Sequence, residues 1–209
     1  MSSESNIIIE HAVITFRNFK GEKKGRFGKA GDIYFSVFLD AYDFKGNMFE
    51  DESKIPQFKY GHEWMNPNDF VDALVRDNWL VSWWKPKDAP EDFPVRPLLK
   101  VNVYFSKDAS GRPNKYGPKI WIAKKDGSLE PIDEESVKNL QTIWIDDAKI
   151  RIRPYNFDKI RNGIEDGRIS AQLKDLCISP VEDDDDDDFY SEYNMRAAMT
   201  ESEREDMPW

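Results

Sequence analysis

Cysteine and histidine are scarce in this 209-residue chain, which has one cysteine and two histidines. The lone Cys177 excludes an internal disulfide and any zinc site built from several cysteines. His11 and His62 are too few for most histidine-based metal sites. No apolar run approaches the roughly 18–20 residues that a membrane-spanning helix needs. The first residues, MSSESN, lack the basic and apolar segments of a secretory signal. We therefore expect a cytoplasmic protein without a cofactor or metal.

The negative charge of the chain is concentrated at its C-terminal end. The sequence has 30 Lys and Arg against 40 Asp and Glu, which gives a net charge of −10. Residues 182–209 alone hold 12 acids and two bases, so residues 1–181 are balanced. We expect one globular domain over 1–181 and an acidic tail over 182–209. Residues 182–188 are all acidic and cannot pack into a core, so the tail is expected to be disordered.

Alternation of apolar and polar residues predicts a body made mainly of antiparallel strands. In residues 33–40, for example, Ile33, Phe35 and Val37 alternate with Tyr34 and Ser36. The predicted strands cover residues 7–19, 33–40, 80–84, 98–105, 119–124, 149–153 and 168–174.

Two helices are predicted between these strands. Asn66 is suited to cap a helix that begins at Pro67 and ends near Asn78. Another begins at Asp133 and directs Val137 and Leu140 inward. Strands outnumber helices and do not alternate with them, which disfavours a parallel sheet. The sequence predicts a mainly β fold, a small antiparallel barrel with long loops, and an OB-fold is the leading candidate.

The residues that alternation directs away from the core are mostly aromatic or basic, and acids among them are few, chiefly Asp40. Rings interleaved with cations are typical of surfaces that stack the bases and neutralise the phosphates of single-stranded nucleic acid, whatever its sequence. For the rings, the alternative is a second small core. The three cations of residues 149–153 would repel one another without a nearby anion. The predicted surface comprises Tyr34, Phe38, Lys100, Tyr104, Lys119, Trp121, Lys149, Arg151, Arg153, Arg168 and Lys174.

Two basic loops that contain glycine could flank this surface. Residues 21–31 hold four glycines and, with Lys20 added, five bases. Residues 111–117 form the second loop. Each loop alone is more often a simple solvent-exposed turn, but together they favour binding to a polyanion. Their candidate DNA-binding residues are Lys23, Lys24 and Arg26 in the first loop and Arg112 and Lys115 in the second.

The last seven residues, 203–209, predict a docking peptide. An aromatic ring beside a proline can enter an apolar pocket, while nearby carboxylates meet Lys or Arg around it. The acids of the tail can also mimic phosphates and occupy the basic surface of the body. The candidate partner-binding residues are Asp206, Met207, Pro208 and Trp209.

Two parts of the chain resemble known families. The tail resembles the acidic C-terminal peptide of bacterial and phage single-stranded DNA-binding proteins, with Trp209 where the bacterial peptide usually ends in phenylalanine. The body is similar to a phage-encoded family of OB-fold single-stranded DNA-binding proteins. The most specific block is Arg153-Pro154-Tyr155-Asn156. The other blocks are Phe16-Arg17-Asn18-Phe19, Asp77-Asn78-Trp79, Pro118-Lys119-Ile120, residues 129–137 and residues 167–176.

The resemblance implies a role in phage DNA replication or recombination, in the cytoplasm of an infected bacterium. It implies that the tail recruits replication proteins such as a DNA polymerase, a helicase or a primase. The blocks add Arg17 and Tyr155 to the candidate DNA-binding residues. Residues 41–65 depart from the family pattern as an insertion. The insertion could cover the sheet, extend it or mediate self-association, so whether the protein forms a homodimer is left open.

Two other functions are also open. A metal-dependent nuclease could use Asp146, Asp147 and other carboxylates, although neighbouring residues of a strand point to opposite faces. An acidic DNA mimic that blocks a host protein would fit the tail but not the balanced body. The sequence shows no Ser–His or Cys–His catalytic arrangement. The leading hypothesis is therefore a binder of single-stranded DNA that is not an enzyme.

Overall fold

The computed structural model describes residues 6–22, 31–105, 117–156, 159, 162–163 and 167–181. Over these residues it is mainly β, as predicted, and most of its strand pairs are antiparallel. An α-helix, α1, spans Pro67–Arg76, and two 3₁₀ helices span Glu52–Lys54 and Val137–Gln141. The strands are β1 (Ile7–Glu10), β2 (Ile14–Asn18), β3 (Ile33–Phe38), β4 (Gln57–Tyr60), β5 (Glu63–Met65), β6 (Val81–Trp84), β7 (Arg96–Val103), β8 (Lys119–Ala123), β9 (Leu129–Ile132), β10 (Ile145–Asn156) and β11 (Ile169–Pro180).

The N-terminal segment pairs with two different parts of the sheet. The sheet order is β2-β3-β7-β11-β10-β1-β4-β5, with β6 beside β7, and β8 and β9 beside β11. Between β1 and β2, His11 has a φ of 55°. There the Ala12 amide donates to the Ala148 carbonyl at 2.8 Å, and the Phe38 amide donates to the Val13 carbonyl at 3.1 Å. The prediction of one strand over 7–19 was wrong, because the chain bends and its two halves pair with β10 and β3.

Two strand pairs depart from the predicted antiparallel arrangement. β11 runs parallel to β7, with Val101 beside Ala171, and parallel to β8, with Ile120 beside Leu176. These pairs join segments that are distant in the sequence, so local alternation carried no signal for their direction.

The helix α1 covers the inner face of β4. The Asn66 side chain accepts a hydrogen bond from the Asp69 amide at 3.0 Å, which caps the helix as predicted. Phe70 is fully buried and stacks on Phe58 with 4.9 Å between ring centres. The second predicted helix is a 3₁₀ helix that begins at Val137 rather than at Asp133, and Val137 and Leu140 are buried as predicted.

The segment 41–65 both covers and extends the sheet. Its β4 pairs with β1, and β5 forms a hairpin with β4. Its earlier part packs on the outer face, where the carbonyls of Tyr42 and Asp43 accept hydrogen bonds from Arg96. The short strands β4, β5 and β9, of three or four residues each, were not predicted.

Candidate nucleic-acid interface

Four neighbouring strands bring polar and aromatic side chains into one row. Tyr34 pairs with Asn102, Asn102 with Gln172, and Gln172 with Arg153. Paired residues share a face, so these four side chains lie on the same side of the sheet. The adjoining residues on the same strands lie in the core: Phe35, Val101, Ala171 and Ile152. The row therefore lies on the outer face.

Further residues on these strands, and Tyr104 just after the end of β7, enlarge the row. Lys100 and Tyr104 precede and follow Asn102 by two positions, and Tyr155 pairs with Ser170 beside Gln172. Burial, and then the charges of Asp32 and Tyr155, raise the pKa of the Tyr104 phenol, so these groups lie near one another. Tyr104 is 51% exposed. We call this outer set the platform; it comprises Tyr34, Lys100, Asn102, Tyr104, Arg153, Tyr155 and Gln172.

Lys100 is the most distinctive cation of the platform. Its ammonium nitrogen lies 4.0 Å from the centre of the Tyr34 ring. Burial lowers the pKa of Lys100, and the charge of Asp32 opposes this only in part. Within the described residues no carboxylate lies within ion-pair distance of its nitrogen. A partly desolvated cation without such a partner is stabilised by an incoming anion.

The amides and Arg153 tie the platform together. The Arg153 Nε donates to the Gln172 Oε1 at 3.1 Å, and the Asn102 amide donates to the Ala171 carbonyl at 3.2 Å. The first bond fixes the orientation of Arg153 against β11, and the second holds the Asn102 side chain against the same strand. Asn102 and Gln172 were not predicted to be part of the site. An amide side chain at an outward position is as common on an ordinary solvent-exposed surface as in a binding site, so its presence in the sequence does not indicate binding.

The two basic residues that precede Arg153 on β10 each lie beside an acidic residue of the same chain. Arg151 lies 3.2 Å from Asp175, and Lys149 forms an ion pair with Glu10. These two acids, Glu10 of β1 and Asp175 of β11, were not singled out from the sequence. Lys149 and Arg151 therefore relieve their mutual repulsion without any ligand.

The remaining residues of the predicted surface, three cations and Trp121, lie at the margins of the platform. Lys119, Lys174 and Arg168 are exposed, on β8, on β11 and just before β11. Trp121 is half-buried between Cys177 and Pro131, its neighbours in register. These residues share the outer face but lie outside the platform.

Phe38 and Tyr34 are not open rings for stacking. Phe38 is 1% exposed, and the guanidinium of Arg96 lies 3.5 Å from its ring centre. Phe16 and Trp84 pack against the same ring, so Phe38 belongs to a second small core. The prediction that Phe38 faces solvent was wrong for this reason. Tyr34 is only 6% exposed and supports Lys100 instead.

Asp40 was also misplaced by the sequence analysis. Its two carboxylate oxygens accept hydrogen bonds from the Nε and Nη2 of Arg96, each at 2.8 Å. Arg96 is fully buried, so the pair belongs to the second core rather than to an open face.

Arg17 lies apart from the platform. A bulge in β2 sets Phe16 and Arg17 opposite one residue of β3. The Arg17 guanidinium donates to the carbonyls of Leu140 and Ile143. It therefore holds the end of the second 3₁₀ helix.

Asp146 and Asp147 line one cleft, contrary to the expectation that they point to opposite faces. A register shift in β10 between Ile145 and Asp147 accounts for this. Lys54 lies 2.8 Å from Asp146, and the His11 Nδ1 lies 3.1 Å from Asp147. The cleft has a volume of about 170 Å³. In the part of the chain that the structure describes, no three potential metal ligands converge.

Several predicted residues lie outside the described residues, namely Lys23, Lys24, Arg26, Arg112 and Lys115 of the two loops and Asp206, Met207, Pro208 and Trp209 of the tail. Their roles stay predictions. No helix within the described ranges is long and apolar enough to cross a membrane.

Comparison of the chain with known proteins found no matching family model, no similar curated protein and no similar solved structure. The resemblance to phage single-stranded DNA-binding proteins therefore stays a prediction.

Proposed function

We propose that the chain is a sequence-independent single-stranded DNA-binding protein, without enzymatic activity, that acts in phage DNA replication or recombination. The observation that carries this proposal is Lys100, a partly buried cation within an aromatic and polar surface. It is held over Tyr34, with its pKa lowered by burial and without a carboxylate partner among the described residues.

The platform offers separate groups for bases and for phosphates. The exposed Tyr104 and the half-buried Tyr155 present rings on which bases stack, at about 1–3 kcal/mol per base. Lys100 and Arg153 neutralise phosphates. Stacking does not distinguish one base from another, so binding of this kind is independent of sequence.

The strand order supports an OB-fold as the finer description of the body. If β1 and β2 are counted as one bent strand, five strands follow the order β2-β3-β7-β11-β10-β1 and return to the starting segment. In such barrels the face of the second and third strands, with two flanking loops, binds oligonucleotides. Those strands correspond to β3 and β7, which carry Tyr34, Lys100 and Asn102.

The acidic tail gives the proposal its regulatory part. Residues 182–209 carry 12 acids, and we expect them to compete with DNA for the basic surface of the body. DNA binding would then release the tail to replication proteins such as a polymerase, helicase or primase. The expected location is the cytoplasm of an infected bacterium.

A salt-dependent titration tests the proposal. Labelled oligo-dT and duplex DNA of equal length are titrated with the full chain at several salt concentrations. We expect tighter binding to oligo-dT, with an affinity that falls as salt rises. Equal or tighter binding to the duplex, or no binding to either, would overturn the proposal.

A further inference from the structure

We propose that the β4–β5 hairpin carries a second base-stacking site, formed by Trp64 and Lys59. The site extends the path of single-stranded DNA beyond the platform. This inference rests on the proposed function. It assigns a binding role to a part of the 41–65 insertion that the sequence analysis left without one.

Trp64 is exposed but held in place. The residue is 52% exposed, although it is one of the largest apolar side chains. Lys59 is its partner in register, and the Lys59 ammonium nitrogen lies 5.6 Å from the centre of the indole ring. A cation at this distance is attracted to the ring and restricts its movement. The hairpin thus presents a pre-oriented aromatic surface beside a positive charge.

The hairpin places this pair on the outer face. Phe58 and Met65 pack toward the core, and Phe58 stacks on Phe70 of α1. Lys59 and Trp64 alternate with them, so they lie on the side away from the helix. That side is the face that carries the platform.

A row of paired residues connects the hairpin to the platform. Trp64 pairs with Lys59, Lys59 with Ile8, and Ile8 with Arg151. Arg151 precedes Arg153 of the platform by two positions on β10. Since neighbouring strands lie about 4.8 Å apart, Trp64 lies about 14 Å from Arg151 along the sheet. A strand bound to Arg153 can therefore continue over Arg151 and Lys59 to Trp64.

The chemistry of the row favours nucleic acid over a protein surface. Lys59 is a cation that suits a phosphate and the indole suits a base, whereas Arg151 is already paired with Asp175 at 3.2 Å. The apolar residues of the row are Ile8 and Trp64, and Ile8 is half-buried. If two copies of the chain associated through this row about a twofold axis, the cations of one copy would face the same cations of the other and repel them.

Oligonucleotides of different length distinguish the contribution of the hairpin site to affinity from that of the platform. Oligo-dT of about 4 to 16 nucleotides, the range of site sizes for one OB-fold, is titrated with wild type and Trp64→Ala. Short oligonucleotides that fill only the platform should bind both proteins equally. The longest should bind Trp64→Ala about tenfold more weakly. Trp64→Phe should keep most of the affinity. Lys59→Gln should lower the slope of log affinity against log salt concentration for long oligonucleotides only.

Trp83→Ala is the matched control. Trp83 is 53% exposed and lies on β6, where it pairs with Pro97 and so shares the face of the core residues Leu99 and Val101, opposite to the face that carries the platform. We expect its affinity for every length to equal that of wild type. Circular dichroism and thermal unfolding of both variants verify that the fold is retained.

Three outcomes would overturn the inference. If Trp64→Ala binds all lengths like wild type while Tyr104→Ala binds weakly, the hairpin site is wrong and the proposed function stands. If wild type binds no oligonucleotide, both are wrong. If Trp64→Ala changes the sedimentation of the free protein and leaves the affinity per protomer unchanged, the hairpin is a self-association surface instead.

Discussion

Lys100 covers the ring of Tyr34, with its ammonium nitrogen 4.0 Å from the ring centre. This contact occupies a face of Tyr34 and holds the cation at the surface of the sheet. In the proposed function this contact gives the platform two roles, because Lys100 can meet a phosphate while the more exposed Tyr104 can meet a base. We expect the two roles to respond differently to mutation and to salt concentration.

Replacement of Tyr104 should weaken stacking without changing the electrostatics. We expect Tyr104→Ala to bind oligo-dT about tenfold more weakly, because one stacked base contributes roughly 1–3 kcal/mol. The slope of log affinity against log salt should be unchanged, and Tyr104→Phe should bind like wild type. Fluorescence titration at several salt concentrations measures all three. An unaltered affinity for Tyr104→Ala would show that this ring does not contact bases.

Replacement of Lys100 should change the salt dependence. We expect Lys100→Gln to lower the salt slope by about 0.7, the value for one lost phosphate contact on a single strand. Lys124→Gln is the control, since Lys124 is exposed and paired with Glu130 at 2.8 Å on the β8–β9 hairpin. Equal slopes for wild type and Lys100→Gln would exclude Lys100 from the phosphate-binding groups.

The lowered pKa of Lys100 predicts a pH dependence of binding. A phosphate beside Lys100 would raise its pKa again, so the protonated form binds DNA more tightly. As pH rises through the lowered pKa of the free protein, Lys100 loses its proton and affinity falls. This decline should begin below the pH expected for a lysine of ordinary pKa 10.5.

Lys100→Arg tests the origin of that decline. Arginine stays protonated throughout the alkaline range, so the decline due to this residue should disappear. Oligo-dA is the suitable ligand because its bases do not ionise at alkaline pH. If wild type and Lys100→Arg lose affinity in parallel, another group is responsible.

The buried pair of Arg96 and Asp40 should dominate the stability of the second core. Asp40→Asn leaves the fully buried guanidinium of Arg96 without its carboxylate. We expect a loss of about 3 kcal/mol or more in the free energy of unfolding, measured with urea. The exposed pair of Lys124 and Glu130 serves for comparison, and Lys124→Gln should leave the free energy of unfolding nearly unchanged. Similar losses in the two variants would contradict the account of this core.

Alternation along the chain was enough to predict the long strands and the orientation of most platform residues. Lys100, Tyr104 and Arg153 were assigned to the outer face because period-two patterning reports the face of a residue directly. The capped start of α1 was predicted because Asn66 and Pro67 act locally.

What the sequence did not predict depends on distant partners or on irregular backbone. Phe38 has the position of an outward residue, but residues far along the chain, Trp84 and Arg96, cover it. The bulge in β2 and the register shift in β10 redirect Arg17 and Asp146, and neither breaks the alternation visibly. The neutralisation of Arg151 by Asp175 requires the pairing of β10 with β11, which local patterns do not specify.

Deletion of residues 182–209 tests the proposed role of the tail. The deletion removes 12 acids and two bases, so we expect tighter binding of oligo-dT, most clearly at low salt. Addition of the separate tail peptide should restore part of the competition. Unchanged affinity at low salt would show that the tail does not occupy the DNA-binding surface.

Photocrosslinking tests the location of the DNA-binding surface most directly. Oligonucleotides that carry 5-iododeoxyuridine are irradiated in complex with the full chain, and the joined peptides are identified by mass spectrometry. We expect crosslinks at Tyr104 and Tyr155, with Trp64 added only for long oligonucleotides. Crosslinks confined to α1 or to the β8–β9 hairpin would contradict the account.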